Sequence, residues 1–144
     1  MKKVLCLIMA VLLCVLLCGC GNSTEKQTDN SSEKIDVDLT TLSSTMVYSE
    51  VNNMVTTPSD YIGKRVKMQG AFAVYEEGTD VYLACIIADA TACCQQGLEF
   101  SLKEQKQYPN DFPDLGTEIT VVGIFSTYKQ GENLYCQLTN AEMI

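Results

Sequence analysis

Three hydrophobic patterns follow one another along this chain, and each predicts a different kind of segment. Val4 to Leu17 is almost continuously apolar and comes directly after Lys2 and Lys3. The run is shorter than the roughly 20 residues a helix needs to cross a bilayer core, and polar sequence follows it, so it reads as a secretory signal rather than a membrane span. Residues 21–45, GNSTEKQTDNSSEKIDVDLTTLSST, are rich in Ser, Thr, Asn, Asp, Glu and Lys and hold no aromatic residue. Such a segment cannot bury enough apolar surface to offset its ordering entropy, which predicts a flexible tether. Within it, Val37, Leu39 and Leu42 leave open an early strand or turn docked on the folded part.

From Met46 the pattern becomes regular. In MVYSEVNNMVTTP the apolar residues at 47, 48, 51, 54 and 55 have helical spacing, and Pro58 ends the run. In SDYIGKRVKMQGAFAVYEE, Val66, Met68, Phe72 and Val74 alternate on one side of a long first strand, with Gly63 and Gly70 allowing a tight entry and a bend. After the turn residues Glu77-Gly78-Thr79-Asp80, VYLACIIADA predicts a second strand and GLEFSLK a third. Residues 103–116, with two prolines, predict an irregular connection. TEITVVGIFSTYK, QGEN and LYCQLTNAEM then read as a fourth strand, a turn and a fifth strand.

Five strands, a long insertion after the third and glycines where the first and fourth must coil predict a mainly β fold. It is a small five-stranded OB-like Greek-key barrel with a short preceding helix. The expected pairing runs first, second, third, fifth, fourth and back to the first. The expected organisation is 1–19 signal peptide, 20–45 modified N-terminus and tether, and 46–144 barrel. Tyr61-Ile62-Gly63-Lys64-Arg65-Val66 through Gly70, and Leu115-Gly116-Thr117-Glu118-Ile119-Thr120-Val121-Val122-Gly123, resemble the Y-I-G-K-x-V-x-x-x-G and L-G-x-x-I-T-V-x-G modules of bacterial OB-type domains. The likeness covers most of residues 58–140 and consists of backbone punctuation, which carries no chemistry.

Leu17-Cys18-Gly19-Cys20 resembles the bacterial lipobox, in which a branched residue, a tolerant position and a small residue precede a cysteine. The resemblance implies cleavage between Gly19 and Cys20 and a diacylglyceryl thioether on Cys20. The fully acylated lipoprotein would carry palmitate-type chains. It also implies a lipid-anchored protein at the extracytoplasmic face of a cell membrane, since two acyl chains anchor stably where one is marginal. Cys18 is the poorer site because Leu17 would stand where a small side chain is wanted. Cys6, Cys14 and Cys18 would leave with the signal.

Removing Lys2 and Lys3 leaves 8 basic residues against 18 acidic ones, a formal charge of −10 beyond the signal. That balance opposes nucleic-acid binding, which needs clustered Lys and Arg, and only Lys64, Arg65 and Lys67 cluster here. The chain has no histidine, so Ser-His-Asp and Cys-His catalysis and His-containing metal sites are ruled out. Asp89, Glu99, Asp111, Asp114 and Glu118 leave paired-carboxylate hydrolysis formally open, but nothing in the sequence fixes two of them across a cleft. A non-enzymatic module without cofactor, binding an envelope protein, peptide or glycan, is the leading expectation.

The other class of function, a thiol-based metal or redox module, rests on Cys85, Cys93, Cys94 and Cys136. Four-thiolate zinc sites usually present C-x-x-C knuckles, whereas Cys93 and Cys94 are adjacent. Cys85 is in phase with Val81, Leu83 and Ile87, and Cys136 with Leu134 and Leu138, on the expected core sides of their strands. The leading expectation is at least one disulfide, with Cys93 or Cys94 bridging Cys136 or Cys85, because the compartment is oxidising and the core small. Core or free thiols and a bound metal are the alternatives.

Overall fold

A computed structural model describes residues 34–91 and 93–144; the signal run, Cys20 and the first part of the expected tether lie outside the described residues. The helix predicted from the spacing around Val51 is α1, Ser44–Thr56. It buries Val51 and Met54 completely and half-buries Val47 and Tyr48, while Val55 stays exposed. Pro58 opens a single 3-10 turn, Pro58–Asp60, because its ring cannot continue the helix.

Among the described residues there are six strands: β1 Val37–Asp38, β2 Arg65–Glu77, β3 Asp80–Ala88, β4 Gln95–Leu102, β5 Glu118–Gln130 and β6 Asn133–Met143. The sheet runs β1-β2-β3-β4-β6-β5, and β2 pairs again with β5, so five strands close into a barrel. β4 and β6 are parallel, whereas the other ring pairs are antiparallel. This is the strand order expected from the sequence. Val66, Met68, Phe72, Cys85, Leu98, Phe100, Val121, Phe125 and Leu138 fill the interior, and α1 lies across β3, β4 and β6.

Closure depends on β2 pairing with two neighbours along its length. Its residues Arg65 to Ala71 pair with β5, and Ala71 to Glu77 pair with β3. Gly70 sits at the changeover and faces inward with Val66, Met68 and Phe72. A Cβ built there would overlap the Ile86 carbonyl oxygen and stand 3.1 Å from Cys85 Sγ. Only a residue without a side chain lets β2 coil this tightly over β3.

The early segment differs from the expected tether. Val37 and Asp38 pair in parallel with Val66 and Lys67, and the Asp36 amide donates to the Arg65 carbonyl at 2.9 Å. Leu39 is 1% exposed. The first half of β2 has β5 on one side and an unpaired edge on the other until β3 begins. β1 covers that edge, and Leu39 follows it into the core. Of the two readings open for residues 21–45, docking holds from Asp36 to Leu42.

Residues 103–117 form the expected irregular connection, tied back to the barrel at both backbone and side-chain level. The Gly116 amide donates to the Phe72 carbonyl and the Phe72 amide to the Thr117 carbonyl, each at 2.8 Å. Phe112 stacks on Phe72 with centroids 5.5 Å apart and planes 5° from parallel. Among the described residues no helix is long and apolar enough to cross a membrane.

Candidate functional site

Two places on the barrel gather side chains with chemical capacity, at opposite ends of β3 and β4. The first lies where the β2–β3 and β5–β6 hairpins approach each other. Both hairpins use two-residue turns between paired ends, Glu77↔Asp80 and Gln130↔Asn133. Each turn opens on a glycine with positive φ, 64° at Gly78 and 62° at Gly131. Such turns match the twist of the flanking strands and hold the tips close to the sheet.

Each hairpin carries a cross-strand tyrosine pair, Tyr75↔Tyr82 and Tyr128↔Tyr135. These residues are out of phase with the core positions of their strands and therefore stand on the outer face. Tyr128 and Tyr135 stack at 5.3 Å. The Tyr128 hydroxyl donates to Glu99 Oε2 at 2.5 Å, and Gln130 Nε2 donates to Glu77 Oε2 at 3.0 Å and to the Tyr82 hydroxyl at 3.4 Å. The second hairpin is thereby fastened to the first and to β4.

Between them lies an open cleft of about 400 Å³, lined by Val81, Tyr82, Leu83, Glu99, Phe100, Ser101, Tyr128 and Gln137. Glu99 also walls a neighbouring hollow of about 220 Å³ that runs past Tyr75 and Gln96. No Lys or Arg lines either space. Burial and the hydrogen bond to Glu99 push the Tyr128 hydroxyl well above the usual phenol range, so it stays a proton donor. Phenol faces, amides, one hydroxyl and carboxylate acceptors are surfaces for hydroxyl- or amine-bearing ligands, not for phosphates.

The second place is the β3–β4 loop. The Asp89 amide donates to the Cys94 carbonyl at 2.9 Å and closes the loop at its base. Asp89 Oδ1 accepts from the Thr91 amide at 3.2 Å and the Cys93 amide at 2.9 Å. Partial desolvation works against this carboxylate, but the Thr91 hydroxyl first and then the backbone amides of the loop hold its pKa below the ordinary value. Cys93 and Cys94 are exposed, with their sulfurs 3.5 Å apart. The Cys94 thiol is pushed up by its hydrogen bond with Cys93, then by desolvation and the Asp89 charge. Tyr48 of α1 faces the group: desolvation, then the charges of Cys94, Asp89 and Cys93, raise its pKa.

The four domain cysteines do not form one set. Cys85 is fully buried, and burial pushes its thiol up to about 12, which makes it a small core residue with no nucleophilic role. Cys136 is half-buried, its sulfur 3.9 Å from the Met54 carbonyl oxygen, and burial followed by the Glu99 charge raises it. The expected bridge from Cys93 or Cys94 to Cys85 or Cys136 is corrected: all four are free thiols. The reason is the tight Asp89–Cys94 closure, which holds Cys93 and Cys94 out at the loop, while Cys85 points inward and Cys136 packs beneath α1. Lipidation at Cys20 lies outside the described residues.

The tyrosine cleft went unread in the sequence, although its signal was present: tyrosines at 75, 82, 128 and 135 all take the phase opposite to the core. Asp89 is no hydrolytic acid in this setting: its position four residues before Cys93 makes it the acceptor that shapes the loop. Compared with family models, curated proteins and solved structures, the chain matches none.

Proposed function

We propose that this chain is a non-enzymatic, lipid-anchored binding module of the extracytoplasmic membrane face. On this reading it captures an envelope peptide or glycan in the cleft between its two hairpins. The observation that carries the proposal is the cleft itself: Tyr82, Tyr128 and Glu99 line it, Tyr75 lines the neighbouring hollow that shares Glu99, and no basic residue lines either. Tyrosine faces supply apolar contact at low conformational cost, and carboxylates accept from sugar hydroxyls or peptide amines. The absence of positive charge from the lining makes phosphate-rich polymers poor ligands.

Isothermal calorimetry with neutral oligosaccharides, cationic and neutral peptides, and a single-stranded oligonucleotide tests this reading. Binding of a sugar or peptide that weakens at least tenfold in Tyr82→Ala, about 1.4 kcal/mol, supports it. Binding of the oligonucleotide alone contradicts it. The anchor has its own test: Cys20→Ser should accumulate as uncleaved precursor without incorporating labelled palmitate, and continued labelling rules out Cys20 as the lipidated residue.

A further inference from the structure

We infer that Asp89, Cys93 and Cys94 form a surface site for a thiophilic divalent cation of the zinc class, with one coordination position open to solvent. One ligand atom from each of the three residues lies within 4.8 Å of the others, a grouping that neither Cys85 nor Cys136 joins. The inference is independent of the hairpin cleft, which lies at the other end of β3 and β4.

Geometry selects the class of ion. With metal–sulfur bonds of about 2.3 Å, sulfurs 3.5 Å apart subtend about 100° at a shared ion. That angle suits a tetrahedral centre and disagrees with the near-linear arrangement of a two-coordinate ion. Two thiolates and one carboxylate form a mixed soft and hard donor set, which suits Zn²⁺ or Cd²⁺ better than Mg²⁺ or Ca²⁺. Three protein ligands leave a fourth position for water or for a donor group of another molecule.

The loop is organised in advance of any ion. The Asp89 amide to Cys94 carbonyl bond fixes the loop ends, and the Cys93 amide on Asp89 Oδ1 sets the carboxylate beside the first thiol. Oδ2 accepts the Thr91 hydroxyl at 3.1 Å. Its remaining lone-pair capacity can ligate an ion without disturbing the backbone contacts made by Oδ1. Binding replaces the thiol protons by the cation, so two protons are released to solvent and no electrons move.

The probe is Cd²⁺, followed by its ultraviolet thiolate charge-transfer band and by native mass spectrometry, on the full-length chain kept reduced with a phosphine. The expected result is one equivalent bound and displaced by Zn²⁺, lost in Cys93→Ser/Cys94→Ser and unchanged in Cys136→Ser. Asp89→Asn should weaken binding about tenfold or more; circular dichroism of each variant separates this from unfolding. Retention of the equivalent in the double serine variant would assign it to other thiols and overturn the inference. So would a reduced wild-type chain that fails to bind.

Discussion

The Tyr128 hydroxyl donates a hydrogen bond to Glu99 Oε2 at 2.5 Å while its ring stacks on Tyr135, so one side chain serves both as a wall of the cleft and as the fastener of a hairpin. Tyr61 does the same for α1: its hydroxyl donates to Glu50 at 2.8 Å, and its ring meets Phe125 edge-on at 6.0 Å. Burial, then the Glu50 contact, pushes Tyr61 up to about 12. Both phenols are raised above their unfolded value near 10, so the neutral form is the one the fold favours. Their contribution is fully present below pH 10 and is lost as pH rises through the folded values. A spectrophotometric titration should therefore show, among the seven tyrosines, a late fraction that includes Tyr48, Tyr61 and Tyr128, and Tyr128→Phe should remove one tyrosine from it. Tyr128→Phe should also cost about 1 kcal/mol in urea unfolding, since a hydrogen bond to a charged but part-exposed acceptor is lost. Simultaneous ionisation of all seven would contradict both contacts.

At the scale of elements, β2 sets the architecture, and its glycine sets β2. Gly70→Ala would press a methyl group against the backbone of Ile86, which cannot move without parting β2 from β3. The expected cost is about 1–3 kcal/mol or more, measured as a lower urea midpoint at unchanged slope; a neutral effect would contradict the close approach. Much of this was legible in the sequence. Val66, Met68, Phe72 and Val74 declared the inward face of β2, and the glycine inside their alternation marked its bend. Residues 36–42 were harder to read because the local signal there is polar and the docking signal is long-range. Val37 and Leu39 matter only because β2 leaves an edge open before β3 begins. Leu39→Ala should therefore destabilise by about 2–5 kcal/mol, as for a core leucine, and not by the near-zero change of a tether residue.

For the molecule as a whole, the fold was legible and the cleft was not, for a physical reason. Strand order follows from periodicity, turn chemistry and the long insertion, all of them local. A cleft depends on which outward residues two separate hairpins bring together, and Gln130 meeting Glu77 across 53 positions leaves no mark at either place. The cysteines illustrate the same limit. Phase identified Cys85 as a core residue, but the isolation of Cys93 and Cys94 follows from a loop closed by Asp89. The binding reading, the central claim, stands on the cleft. Its most direct measurement is a residue-resolved NMR titration of the isotope-labelled chain with the ligand that calorimetry selects. The account predicts that amide shifts concentrate at Tyr82, Glu99, Ser101, Tyr128 and Gln137, while Lys64 to Lys67 stay still. Perturbation centred on Lys64 to Lys67 with a silent cleft would contradict it.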